Sequence, residues 1–313
     1  MVSHIRIVNC TVLSASWLLS SILFLCILLL FSCHVDYCYA RDTLKQGDWI
    51  TDNGETLVSG GETFELGFFT PFRSSSHKKF VGIWYKQDQQ TVVWVANRDS
   101  PVLNGSTGTF GIAEDGNLKI SDTTGKDYWS TFLDSSSTSR TLKLMDSGNL
   151  VLSDGDDKLA KVQWESFKNP TDTFLPGMNM DEILSLTSWI RDGDPGNGRF
   201  SFNLSQVGEN KYVISQKAVF NGRERIPGKL YRIDEMPQVI AYLLSNFNSS
   251  VIKTTKLNPL LQNSTHRLSD YTSTDYNSTR LIMNYTGAVR VSDLGQRSLE
   301  FDMVGARREM SHL

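Results

Sequence analysis

"DSGNLVLSD" occupies residues 146–154, and a close relative, "EDGNLKISD", occupies residues 114–122. Each carries Gly-Asn-Leu, an apolar residue two positions after that Leu, and then Ser-Asp. Asp146-Ser147-Gly148-Asn149 is a turn-forming cluster, and Leu150-Val151-Leu152 is a short apolar run, so the phrase reads as the rim of a β-hairpin. Asn117 and Asn149, the asparagines of the two copies, lie 32 residues apart.

The tryptophans repeat the interval. Trp94, Trp129 and Trp164 stand 35 residues apart in "VVWVAN", "DYWSTF" and "VQWESF". A fixed spacing of a few short strands points to a repeated β unit that buries its apolar face against its neighbours. The tryptophans are expected in the core. The strands around them alternate: "TFELGFF" (63–69) puts Phe64, Leu66 and Phe68 on one side, and "FVGIWY" (80–85) sets Val81, Ile83 and Tyr85 against Phe80 and Trp84. Asn53-Gly54, Asn104-Gly105, Asp115-Gly116 and Asp154-Gly155 supply turns. Residues 42–165 show no sustained helical period.

The chain has 313 residues, 40% hydrophobic and 21% charged, with a formal net charge of −3. That suits a globular protein with a substantial core and gives no basic surface for nucleic acid. The N-terminus stands apart. Residues 12–31 are uncharged, and "CYA" (38–40) places small residues before Arg41, the layout of a secretory signal peptide over 1–40. An uncleaved signal anchor is the alternative, and only that would attach the chain to a membrane. All four cysteines, Cys10, Cys26, Cys33 and Cys38, precede the cut. The mature chain is therefore expected to hold no disulfide, thiol nucleophile or cysteine-zinc site. Asn-X-Ser/Thr sequons at Asn104, Asn203, Asn248, Asn263, Asn277 and Asn284 fit a secreted glycoprotein.

Downstream, residues 166–200 read as a connector rich in Pro, Gly and Asp. Residues 200–305 read as strands again, with "MPQVIAYLLSNF" compatible with a short helix. Other chemistry finds little support. The mature histidines, His77, His266 and His312, are far apart in polar segments. "DGDPGNG" (192–198) resembles a calcium loop but has Asn203 where the bidentate acid belongs, so a Pro-Gly turn is expected. Asp156-Asp157 are adjacent on a hairpin tip, so they face opposite ways and are expected to be solvated. No enzyme and no cofactor are expected.

The phrases "DTLKQGDWITDNGETLVSGGETFELGFFTP" (42–71), "GIWYK" (82–86), "VVWVANRDSPV" (92–102), "GNLVL" (148–152), "WESFKNPTDTFLPGM" (164–178) and "SWIRDGDPGNGRFSF" (188–202) carry a family resemblance. The chain resembles the extracellular part of plant S-domain (G-type lectin) receptor-like kinases and the S-locus glycoproteins. The resemblance implies an all-β chain: a bulb-type lectin β-prism of three four-stranded sheets over 41–166, a connector over 167–200, and a β-rich, incomplete S-locus glycoprotein domain over 201–313. It implies a role in cell-surface recognition signalling, in pollen recognition or defence. Mannose-type glycans, a protein or peptide ligand, or S-domain receptor kinases are the implied partners. A working mannose-binding lectin and a non-functional fragment of a receptor-like serine/threonine kinase are the alternatives.

Bulb-type lectins hold mannose with Gln-X-Asp-X-Asn-X-Val-X-Tyr, whose period of two puts five side chains on one strand face. In the first phrase these positions are Ala113, Asp115, Asn117, Lys119 and Ser121, so Asp115 and Asn117 remain. In the second they are Met145, Ser147, Asn149, Val151 and Ser153, so Asn149 and Val151 remain. In the other unit the register Gln87, Gln89, Thr91, Val93, Val95 keeps Gln87 and Val93. Each sugar hydrogen bond nets only about 0.5–1.5 kcal/mol, so strong mannose binding is not expected. The asparagines are expected first as turn-closers.

Overall fold

The computed structural model describes residues 41–74, 78–103, 105–134, 139–155, 160–181, 183–204, 212–220, 223–232, 240, 243–244, 279–293 and 298–301. The proposed signal peptide, the three histidines, Asp156-Asp157, Asn104, Asn248, Asn263 and Asn277 lie outside the described residues.

The first 16 residues of the ordered β region do an unusual job. They form three short strands, β1 (Thr43–Lys45), β2 (Trp49–Thr51) and β3 (Thr56–Val58), and each joins a different sheet. β4 (Phe64–Phe69), β5 (Phe80–Tyr85) and β6 (Asp88–Val95) complete the sheet begun by β3. β7 (Gly108–Ile112), β8 (Leu118–Asp122) and β9 (Asp127–Ser130) complete that of β2. β10 (Arg140–Leu144), β11 (Leu150–Asp154) and β12 (Lys161–Glu165) complete that of β1. The result is the expected set of three four-stranded antiparallel sheets.

The alternation in the sequence sets which face is buried. On β8, Leu118 and Ile120 are buried while Lys119 and Ser121 are not; on β11, Leu150 and Leu152 are buried while Val151 and Ser153 are half-buried. These residues join Phe110, Ile112, Leu142, Leu144, Leu66 and Ile83 in one core. Each tryptophan sits on the last strand of its sheet, opposite an apolar residue of the middle strand: Trp94 faces Ile83, Trp129 faces Ile120 and Trp164 faces Leu152. The three indoles meet edge to face, with centroids 5.8–6.1 Å apart in all three pairs. Such T-shaped contacts add about 0.5–1.5 kcal/mol each beyond burial. The 35-residue period therefore records a threefold cluster, and the tryptophans are core residues as expected.

Nearly half of the segment read as a connector is strand. After a 3-10 turn (Ser166–Lys168) come β13 (Thr173–Phe174), β14 (Ser185–Arg191) and β15 (Asp194–Leu204). Arg191 pairs with Asp194, so the loop between β14 and β15 is the two-residue Asp192-Gly193, with Gly193 at φ +74°. Asp-Gly suits a tight two-residue hairpin turn, and Pro195 falls inside β15 rather than at the turn. The Pro/Gly composition hid a hairpin.

β14 and β15 form a sheet with β16 (Tyr212–Phe220) and β17 (Arg223–Arg232). β13 joins β18 (Arg280–Met283), β19 (Val289–Ser292) and β20 (Ser298–Phe301) in another. Ile240, Leu243 and Leu244 are helical and buried, at the i, i+3, i+4 spacing of one helix face.

The β18–β19 hairpin carries a third copy of the opening phrase, "TGAVRVSD" (286–293). The Gly287 amide bonds the Asn284 carbonyl (3.0 Å) and the Asn284 amide bonds that of Ala288 (2.9 Å). Gly116 and Gly148 close their hairpins by the same pair of bonds, at 2.9 Å throughout. All three glycines have positive φ, between +81° and +94°, which L residues rarely adopt.

Candidate functional site

The sugar-motif residues of the first phrase lie at the start of β8. Asn117 is 8% exposed. Its Oδ1 accepts from the Thr131 hydroxyl (2.9 Å) and the Leu133 amide (2.6 Å), tying the chain beyond β9 to the middle strand. Asp115 accepts from the Asn117 amide (3.0 Å) and pairs with Lys119 (3.0 Å). Burial alone would raise the Asp115 carboxyl, but the Asn117 amide and Lys119 hold it below its usual value. Lys119, at the position of the motif's ring-packing Val, is thus bonded to the motif's own Asp.

The second phrase repeats the arrangement. Asn149 Oδ1 accepts from the Ser166 hydroxyl (3.2 Å) and the Phe167 amide (3.1 Å), and its Nδ2 donates to Glu165 (2.8 Å). Val151 stands half-buried on the outer face between Lys143 and Glu165. Asp146 accepts from the Gly61 amide (2.5 Å) and so anchors the β3–β4 turn. Both asparagines close their units by the same route, from the start of the middle strand to the segment after the tryptophan.

Gln87 and Val93 are not their counterparts. In the other two sheets the motif runs along the middle strand, and the partner of each tryptophan sets the register. In this sheet that strand is β5, where the positions of Asp, Asn, Val and Tyr hold Lys78, Phe80, Gly82 and Trp84. Gln87 precedes β6, an edge strand, and Val93, only 2% exposed, points into the core. The outer face of β5 is also filled: Phe69 lies 5.9 Å from Phe80 and 6.1 Å from Trp84, and a Cβ on Gly82 would come within 2.7 Å of the Phe69 ring. Without a Gly-Asn-Leu phrase here, the sequence offered no marker for the right strand.

Two sequons fall on described residues. Asn203 lies within β15, paired on one side with Ser185 and on the other with Val213. Asn284 is 8% exposed and donates to Glu300 (3.3 Å).

A second cluster, which the sequence reading missed, lies in "NRD" (97–99). Asn97 Oδ1 accepts from the Val81 amide (2.9 Å), closing the first sheet. Arg98 is buried, and its guanidinium donates to four carbonyls of β14 and β15: Pro195 (2.5 Å), Ser188 (2.7 Å), Thr187 (2.9 Å) and Gly196 (3.3 Å). Asp99 accepts from Asn197 Nδ2 at 2.8 and 2.7 Å. Nearby, burial pushes the Asp172 carboxyl up, with Arg98 opposing. Trp94 Nε1 donates to the Asn169 carbonyl (2.8 Å). The last strand of the first sheet and the strands beyond residue 166 are therefore clasped by a buried cation and an indole. The bonds span about 90 residues, so no local pattern could reveal them.

Among the described residues no cluster of His, Cys, Asp and Glu could hold a metal ion, and no helix is long and apolar enough to cross a membrane.

The family profile described as D-mannose binding lectin matches residues 91–188. A G-type lectin S-receptor-like serine/threonine-protein kinase of Arabidopsis thaliana is 48% identical over 224 residues, covering 70% of this chain and 26% of the relative. A second Arabidopsis thaliana kinase of that description is 41% identical over 191 residues, covering 58% and 21%. The chain thus spans about a quarter of the length of these curated relatives. The matched region is the lectin domain rather than a kinase domain. Among solved structures, a monomeric monocot mannose-binding lectin from Gastrodia elata aligns at 18% identity and TM-score 0.30, covering 40% of this chain and 93% of that one. A lectin from Allium sativum aligns at 19% and 0.29, covering 37% and 97%. The profile match and the Arabidopsis thaliana relatives show that the chain carries a bulb-type lectin region similar to that of G-type lectin S-receptor-like serine/threonine-protein kinases.

Proposed function

We propose that this chain is an extracellular recognition module of the S-domain type, working in cell-surface signalling such as pollen recognition or defence, without strong mannose binding at the motif positions. One observation carries the reading: the polar side chains retained from the motif, on Asp115, Asn117 and Asn149, are already bonded to the protein's own groups. A sugar hydroxyl would have to displace those bonds and would net little from the exchange. Its partners are then a protein or peptide ligand, or S-domain receptor kinases of the same kind.

Residues 1–40 act as the signal peptide in this reading, and the lectin domain covers 41–166. The connector covers 167–200 and the S-locus-type domain 201–313 in the same reading; that β14 and β15 share a sheet with β16 and β17 supports joining the connector's strands to that second domain.

A glycan array of the secreted chain tests the binding claim. The expected result is no retention on mannose or high-mannose glycans. Clear retention, lost in Asn149→Ala and kept in a stability-matched core variant, would instead support the working-lectin reading, which Val151 on the outer face favours. N-terminal sequencing of the secreted protein tests the cut; Arg41 is the expected first residue.

A further inference from the structure

Asp172 lies one residue before β13, where the prism, β14 and β18 meet. The Met283 amide on β18 donates to its carbonyl (2.8 Å), and the Thr187 amide on β14 donates to the carbonyl of Thr171 (2.7 Å). From the prism side, Arg98 donates to the carbonyls of Thr187, Ser188, Pro195 and Gly196. Thr187 is a shared link: its amide holds the segment of Asp172 and its carbonyl holds Arg98.

The Asp172 carboxyl sits uneasily in this junction. The residue is only 7% exposed, and a buried carboxylate is costly unless hydrogen bonds or an ion pair compensate it. Its neighbours compensate little. The Thr171 hydroxyl contributes one bond (3.1 Å). The Trp189 indole on β14 faces the carboxyl, yet its buried Nε1 completes no hydrogen bond. Arg98 is the charged group facing it from the prism, but four carbonyls occupy that guanidinium, and Asp99 draws on the same charge. β18 carries Arg280, whose guanidinium lies over the Tyr85 ring instead, 5.4 Å from its centroid. Burial therefore outweighs Arg98 and holds the carboxyl above its ordinary value of 3.8. Water has a way in: a cavity of about 280 Å³ opens beside the junction, lined by Arg98, Asp99, Thr171, Thr187 and Asn197. That is room for several water molecules.

We propose that this junction is a proton-operated latch: with a proton on the Asp172 carboxyl the β14–β15 hairpin stays closed on the prism, and loss of that proton to water entering the cavity loosens it. In the closed state a neutral carboxyl needs no counter-charge and leaves Arg98 to its four carbonyls. In the open state the carboxyl hydrates and ionises as an ordinary aspartate. An acid with a raised pKa in the closed state favours closure most at low pH. That preference is lost as pH rises from 3.8 towards the raised value, and it stays lost above it. The latch is tight in mild acid and slack near neutrality.

Hydrogen–deuterium exchange of the full secreted chain, between about pH 4.5 and 7.5 and corrected for intrinsic chemical exchange, tests the latch. Amides of β8 and β11, within the prism, serve as the reference. Opening of β14 and β15 relative to that reference is expected to rise with pH, by up to about tenfold per pH unit, until the closed carboxyl ionises. Asp172→Asn, neutral at every pH, should abolish the rise, whereas Asp99→Asn should keep it. A carbon-13 NMR titration of the wild-type Asp172 carboxyl needs no variant; its midpoint should lie above 3.8, where the exchange rise levels off. Any one of four results would overturn the proposal: flat corrected exchange relative to the reference, a rise that survives in Asp172→Asn, a rise abolished by Asp99→Asn, or an Asp172 carboxyl already ionised at the lowest pH.

Discussion

Asn117 and Asn149 are the residues on which lectin chemistry and scaffold chemistry compete. Each bridges the start of a middle strand to the segment after a tryptophan through two or more hydrogen bonds. Removing the side chain leaves buried donors unpaired, at a cost of about 1–3 kcal/mol. Asn117→Ala and Asn149→Ala are each expected to lower stability by that amount in urea unfolding; a change near zero would deny the structural role. Asp122 gives a pH signature. The Thr124 hydroxyl, followed by the Tyr128 hydroxyl and the amides of Lys126 and Thr124, lowers its pKa from 3.8 to about 2. A depressed carboxylate stabilises the fold fully above 3.8, and the contribution is lost as pH falls towards about 2. Melting temperature should therefore drop across that window, and less steeply in Asp122→Asn. At this scale the turn-closing role was legible, because Gly-Asn before an alternating run is a local signal. The bonds to Thr131 and Phe167 were not, because they join positions 14–18 residues apart through side chains.

At the scale of strands and hairpins, the repeated phrase is a device for building one hairpin three times. Two copies could be read directly. The copy at 286–293 could not, because Ala288 and Val289 replace Asn-Leu while the Gly-centred turn and the closing Ser-Asp persist. The first sheet differs for a related reason: its middle strand, β5, has aromatic cover in place of the motif, so no local phrase there marks the register. The β14–β15 hairpin is hidden in the sequence because its Asp-Gly turn and Pro195 look like loop composition. Its junction with the prism yields a test. Arg98→Ala would leave four carbonyls, three of them in buried bonds, without this donor, and Arg98→Lys cannot reproduce the planar fork. Both are expected to loosen the junction, read as faster amide exchange in β14 and β15, with alanine also costing about 1–3 kcal/mol. Unchanged exchange in both variants would remove the clasp role.

For the molecule as a whole, one 16-residue run edges all three prism sheets, and three indoles join them at a common cluster. Trp94, 5% exposed, touches both other indoles. Trp94→Ala is expected to cost about 3–5 kcal/mol and to affect all three sheets together, since one cavity would open where they converge. A loss confined to the β3–β6 sheet, by hydrogen exchange, would contradict a shared core. Under the proposed function, this framework keeps a lectin architecture while Asn117 and Asn149, at motif positions, hold strands together. Thermal melting of the wild type and Asn149→Ala, each with and without saturating methyl α-mannoside, tests that most directly. The expected result is a wild-type melting temperature that the sugar does not move and a variant that melts several degrees lower either way. A wild type raised by the sugar, beside a variant that melts normally but has lost the response, would contradict it.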